Sequence, residues 1–109
     1  MKINIATAHL DLTPSFRLYI EKKLAPIEKL IARFDPASGA EIYVEVSRTT
    51  LHHKQGGIYL AALNLRLPKT TLRAEARAED ARAAVDVAKD VLAREIKKYK
   101  TKFLAARRS

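Results

Sequence analysis

Glu41-Ile42-Tyr43-Val44-Glu45-Val46 alternates polar and apolar side chains without a break, and in an extended chain successive side chains point to opposite faces. Ile42, Val44 and Val46 therefore predict a buried face, and Glu41, Tyr43 and Glu45 a wet one. That is a strand of a sheet covered on one side only. Downstream, after His52-His53-Lys54-Gln55-Gly56-Gly57, Tyr59, Ala61, Leu63, Leu65 and Leu67 repeat the alternation until Pro68-Lys69 breaks it. In a further strand Leu72, Ala74, Ala76 and Ala78 point inward, and Arg73, Glu75 and Arg77 point outward, where opposite charges can pair across strands.

Upstream of this meander, Asp35-Pro36-Ala37-Ser38-Gly39 is a run of turn formers. Before it, Phe16, Ile20, Leu24, Ile27, Ile31 and Phe34 recur at spacings of three and four, one apolar stripe on a helix from Pro14 to about Phe34. Thr13-Pro14 starts it with a capping hydroxyl and a proline whose missing N–H costs nothing at the first helical position. Pro26 is expected to kink this helix rather than divide it. Ile3, Ile5 and Thr7 alternate in a first strand between Lys2 and His9. At the other end Glu79-Asp80 suits a helix N-terminus, and Ala81, Val85, Ala88, Leu92, Ile96, Tyr99 and Phe103 form the stripe of a second helix. At about 1.5 Å per residue it reaches nearly 40 Å, so its last turns are predicted to run past the sheet, with Tyr99 and Phe103 closing the core. The order is βαβββα: an α+β fold, a four-stranded sheet with both helices on one face and a right-handed first crossover. Residues 1–109 read as a single domain with a basic C-terminal tail at about 97–109.

Charge is the next strongest signal. The 109 residues carry 21 Lys and Arg against 12 Asp and Glu, a net +9. Lys97, Lys98, Lys100, Lys102, Arg107 and Arg108 supply two-thirds of that excess in a stretch with no carboxylate. A positive end of this kind steers a domain toward a polyanion. Lys22, Lys29 and Arg33 share one outer ridge of the first helix, and Arg82, Lys89 and Lys100 one ridge of the second. Such ridges can equally be solvated helix faces, but between Arg94 and Arg108 only Glu95 relieves seven cations, and that repulsion suits a phosphate partner. Contacts of this type touch phosphates and do not read sequence. Tyr43 is the sole aromatic predicted on the open sheet face, so an aromatic base-stacking platform is not expected.

The same residues argue against other classes. No cysteine is present, which excludes disulfides and thiolate metal sites. His9, His52 and His53 lack the convergent partners of a zinc site. Gly56-Gly57 joins strand to strand and opens no phosphate-binding helix. The acids lie on solvated positions beside cations, unlike a general acid or base held in a pocket. No apolar run approaches a membrane span, and Met1-Lys2-Ile3-Asn4-Ile5 lacks a signal peptide's apolar core. The expectation is a cytoplasmic protein without catalytic residues, cofactor, metal, membrane contact or small-molecule substrate, monomeric when free.

The sequence resembles the ribosome hibernation promoting factors, or ribosome-associated inhibitors, over nearly its whole length. The resemblance is carried by Met1-Lys2-Ile3-Asn4-Ile5, Leu12-Thr13-Pro14, Tyr19-Ile20-Glu21-Lys22-Lys23-Leu24, Ile27-Glu28-Lys29-Leu30, His52-His53-Lys54-Gln55-Gly56, Leu72-Arg73-Ala74-Glu75, Glu79-Asp80-Ala81-Arg82-Ala83-Ala84-Val85-Asp86 and Lys97-Lys98-Tyr99-Lys100-Thr101-Lys102. It implies a fold like the double-stranded RNA-binding domain. It also implies a non-enzymatic protein bound to the small ribosomal subunit in the channel of mRNA and tRNA, blocking translation by occupancy. On matching positions it nominates Lys22, Lys23, Lys29, Arg82, Lys89, Arg94, Lys97, Lys98, Lys100 and Lys102 as contacts to ribosomal RNA. Arg82 stands where the family usually has an aromatic, often Tyr. The C-terminal domain of long-form members has no counterpart, so a short form is expected that does not pair ribosomes through such a domain. Two other readings fit the residues: a generic module for structured RNA, and a partner-binding or dimerisation domain with a basic tail.

Overall fold

The structure, a computed structural model, describes residues 1–34, 39–49 and 58–108. In chain order the elements are β1 (Lys2–Ala8), α1 (Pro14–Phe34), β2 (Glu41–Arg48), β3 (Tyr59–Arg66), β4 (Thr71–Ala78) and α2 (Ala81–Arg108). The turn formers read at 35–38, the His52–Gly57 connection and the side chains of Phe34, Ala106, Arg107 and Arg108 lie outside the described residues.

The sheet has the order β1-β2-β3-β4. β1 runs parallel to β2, in register from Lys2 opposite Glu41 to Ala8 opposite Ser47, which requires a crossover, and α1 provides it. β2, β3 and β4 follow as an antiparallel meander, with Val44 opposite Leu63 and Leu63 opposite Ala74. One face of this mixed sheet is covered by the helices: α2 lies against β4, β3 and β2, and α1 packs beside α2.

The predicted stripes meet there. Ile20, Leu24, Ile42, Val46, Leu63, Leu65, Leu92 and Ile96 are fully buried in one cluster, joined by Phe16, Ile27, Ile31, Val44 and Val85. Each large aliphatic side chain buried this way contributes about 1.5–3 kcal/mol. Tyr99 and Phe103 pack at the margin of the cluster, with ring centroids 5.9 Å apart. Ala62, on the outer face by alternation, is nevertheless buried, being a small side chain in register between Glu45 and Glu75.

The helix starts follow from local chemistry. Thr13 Oγ1 accepts the Phe16 N–H at 3.1 Å, and the Thr13 carbonyl accepts the Arg17 N–H, an N-cap in front of Pro14. Asp80 does the same for α2: Oδ1 accepts the Ala83 N–H at 2.8 Å and its carbonyl the Ala84 N–H. α1 continues through Pro26 as one helix. β1 stops at Ala8, one residue short of the predicted limit, because His9 takes a positive φ of 63°. Gly39 has the same φ ahead of β2, where the missing Cβ removes the strain.

The molecule is elongated, 53 × 26 × 18 Å with a radius of gyration of 15.0 Å, where a compact chain of this length would have about 13 Å. The cause is the 28-residue α2, whose last fully buried side chain is Ile96 among those described. From Lys97 onward no described side chain is fully buried, and Tyr99 and Phe103 reach only the margin of the core.

Candidate nucleic-acid interface

The two helices run side by side in the same direction, and side chains 67 positions apart meet between them. Arg82 Nη2 donates to Ser15 Oγ at 3.3 Å, and the Tyr19 hydroxyl donates to Asp86 Oδ2 at 2.8 Å. Tyr19 is the centre of this contact. The Arg82 guanidinium lies over its ring at 4.8 Å and Lys23 Nζ at 5.5 Å, both within cation–π range. Lys23 Nζ also stands 3.2 Å from Asp86 Oδ1, an ion pair that supplies charge to an oxygen with no aligned hydrogen bond. Burial, followed by the hydrogen bond to Asp86, pushes the Tyr19 phenol up to about 12, so its hydroxyl remains a donor throughout the physiological range.

Further along the same seam the helices part into a groove of about 290 Å³, lined by Pro26, Ile27, Lys29, Leu30, Arg33, Lys89 and Ala93. Its lining combines four apolar residues, of which Ile27 is buried, with three cations. Lys89, half-buried, also pairs with Asp90 at 2.8 Å; that hydrogen bond and charge hold the Asp90 carboxyl below the usual carboxylate range.

The ten nominated residues thus divide into sets. Lys29 and Lys89 line the groove, together with Arg33, which the sequence placed on the ridge without nominating it. Lys23 and Arg82 bracket Tyr19. Lys22, Arg94, Lys97, Lys98 and Lys102 are exposed and Lys100 is half-buried; none of these six belongs to either group. Lys98 pairs with Glu95 at 3.6 Å, both exposed, a contact worth little in water. Tyr19, Asp86 and Ser15 were not foreseen as organising residues. The available signal was the four-residue spacing of Ser15, Tyr19 and Lys23 on one helix and of Arg82 and Asp86 on the other.

The opposite face of the sheet is arranged differently. Tyr43 donates its hydroxyl to Glu41, with Arg66 over its ring at 5.4 Å. A cross-strand charge pair is not formed by Arg73: it pairs with Glu75 on its own strand at 3.0 Å and reaches across to Asn64 at 2.9 Å. An arginine one strand away from an amide finds it directly, and its other nitrogen is then left near the acid two residues on. Acids and bases are mixed on this face; the helices also carry Glu21, Glu28, Asp86, Asp90 and Glu95, but their cations outnumber these acids. Among the described residues no three His, Asp or Glu side chains converge as a metal site requires, and no helix is long and apolar enough to cross a membrane.

Residues 3–103 match the family described as Sigma 54 modulation protein / S30EA ribosomal protein. The chain is 31% identical over 102 residues to a ribosome hibernation promoting factor of Pseudomonas putida, an alignment covering 94% of this chain and 89% of that protein. It is 29% identical to a ribosome hibernation promotion factor of Lactococcus lactis, of which it spans 51%. Among solved structures it is similar to the N-terminal domain of Protein Y from Thermus thermophilus, with a TM-score of 0.70 and 30% identity over 91% of this chain and 99% of that one. A ribosomal subunit interface protein from Coxiella burnetii gives 0.68 and 26%, over 93% and 99%.

Proposed function

Because the chain belongs to the Sigma 54 modulation protein / S30EA ribosomal protein family, whose similar members are named ribosome hibernation factors, we propose that it binds the small ribosomal subunit in the channel used by mRNA and tRNA. There it inhibits translation by steric occlusion, as a cytoplasmic, ribosome-bound factor with no catalytic step. The observation that carries this reading is the basic surface formed jointly by α1 and α2. Lys22, Lys29, Arg94, Lys97, Lys100 and Lys102 form no ion pair with a described residue, so their charge is available to phosphate.

Rigidity supports the same mechanism. An occluding wall must keep its shape in the site, and the Thr13 and Asp80 caps, the Tyr19 cluster and the shared core fix the two helices against each other. A preorganised surface loses less ordering entropy on binding.

Sucrose-gradient sedimentation of the purified chain with small subunits, at low ionic strength, tests the proposal. Co-migration with small subunits, displacement by mRNA and tRNA, and inhibition of protein synthesis in an extract are expected. A chain that remains at the top of the gradient and leaves synthesis undiminished refutes it. A duplex RNA competitor that removes the protein as readily as subunits do would identify a generic RNA-binding module instead.

A further inference from the structure

We infer that the groove between α1 and α2 is a nucleotide subsite, taking one unpaired base with its phosphate from the RNA held by the helices; this rests on the RNA-binding reading above. Phosphate binding requires cations and gains nothing from Pro26, Ile27, Leu30 and Ala93, because apolar walls remove water from an anion at a cost. A base has the opposite needs: its flat faces are stabilised against apolar atoms and arginine guanidinium planes, while the attached phosphate requires charge. The groove offers both within one set of seven residues, with Arg33 able to serve either end.

Size selects the same occupant. About 290 Å³ lies just below the ~300–1,000 Å³ range of pockets that enclose drug-sized ligands, suitable for a single nucleoside rather than a stacked pair. Lys89 need not release Asp90 to take part, since an ammonium has three donors and Asp90 occupies one side of it. The groove also lies directly along the seam from the Tyr19 cluster, so an RNA strand following the basic surface would pass over it.

The test uses the full chain and three RNA duplexes of equal length: one perfectly paired, one with a single bulged adenosine and one with an abasic bulge. Binding is followed by fluorescence anisotropy. The bulged duplex is expected to bind about fivefold or more tightly than the other two, the lower end of what one stacked base supplies. Arg33→Gln, on the exposed rim, and Ala93→Leu, which fills the groove, should each abolish that preference with an unchanged circular dichroism spectrum. Equal affinity for all three duplexes overturns the subsite while leaving ribosome binding intact. Loss of binding to every RNA and to small subunits overturns both. Adenosine 5′-monophosphate competing as well as the bulged duplex at equal concentration would mean that a free nucleotide is the occupant, and overturns the assignment to RNA.

Discussion

Replacing Lys97, Lys100 and Lys102 together by alanine should halve the electrolyte dependence of ribosome binding. Of the ten nominated cations, Lys23, Lys89 and Lys98 have their charge offset by a paired carboxylate and Arg82 lies over Tyr19, which leaves six whose full charge is open to a phosphate. With the single-strand coefficient of about 0.7 per contact, log affinity should fall against log salt with a slope of about −4, or about 300-fold between 50 and 200 mM. Three contacts fewer bring the slope to about −2 and the loss over the same range to about 20-fold. Alanine preserves helix propensity, and none of the three side chains is fully buried, so circular dichroism should be unaltered. Filter binding to small subunits across a potassium chloride series measures both slopes. If the triple variant retains the parental slope, these turns of α2 do not contact RNA and the assigned surface is wrong. Lys98→Ala serves as the internal comparison: already shared with Glu95, Lys98 should change the slope by less than any one of the three.

Other expectations follow from the interior and the seam. Leu92→Ala, at a fully buried position, should cost about 2–5 kcal/mol in urea unfolding; a loss below about 1 kcal/mol would mean the site collapses without a cavity. Tyr19→Phe leaves Asp86 Oδ2 without its donor, and because the Asp86 side chain is 39% exposed water can replace it, so a cost near 1 kcal/mol is expected. In an absorbance titration of the four tyrosines, the parent should show a component ionising near 12 that this variant lacks. The folded state raises that pKa above 10, so the associated stability is complete below pH 10 and is lost as pH rises through 12; a titration complete by pH 11 would contradict the burial and hydrogen bonding of this phenol together. Thr13→Ala and Asp80→Ala should each lower stability by about 1 kcal/mol, measured as a fall in Tm of about 4–8 °C, and an unchanged Tm would deny the caps.

Local regularity explains what could be read from the chain. The stripe from Phe16 to Ile31 and the alternation from Ile42 to Val46 each lie within one element, so their periods specify the buried face before any tertiary contact is known. The caps at Thr13 and Asp80 bond within three residues of themselves, and proline and acid placement made both visible. The inter-helix contacts behave otherwise. Tyr19 and Asp86 are neighbours only because both stripes face one core and α1 and α2 run together, a register that neither period encodes. For the same reason the family resemblance nominated Arg82 and Lys23 as RNA contacts without showing that both already hold a tyrosine ring. Arg33 was placed on the ridge but not nominated, because its position in one groove with Lys89 depends on that same inter-helix register. The outer sheet face misled in a smaller way, since Arg73 could choose between an amide across the strand and an acid along it.

The parallel edge of the sheet has a consequence for how the molecule assembles and comes apart. Every β1–β2 partner pair, from Lys2 with Glu41 to Ala8 with Ser47, is 39 positions apart in sequence, whereas β3 and β4 are hairpin neighbours. Loop closure therefore favours early formation of the meander and late zippering of the N-terminal strand. β1 has a neighbour on one side only, so it should also be the first to detach in hydrogen exchange. Its departure would free the anchor at the start of α1, and with it Lys22, Lys29 and Arg33. On the proposed reading, in which the chain stands still inside a large particle, the strand expected to detach first thus lies behind half of the surface that would do the standing.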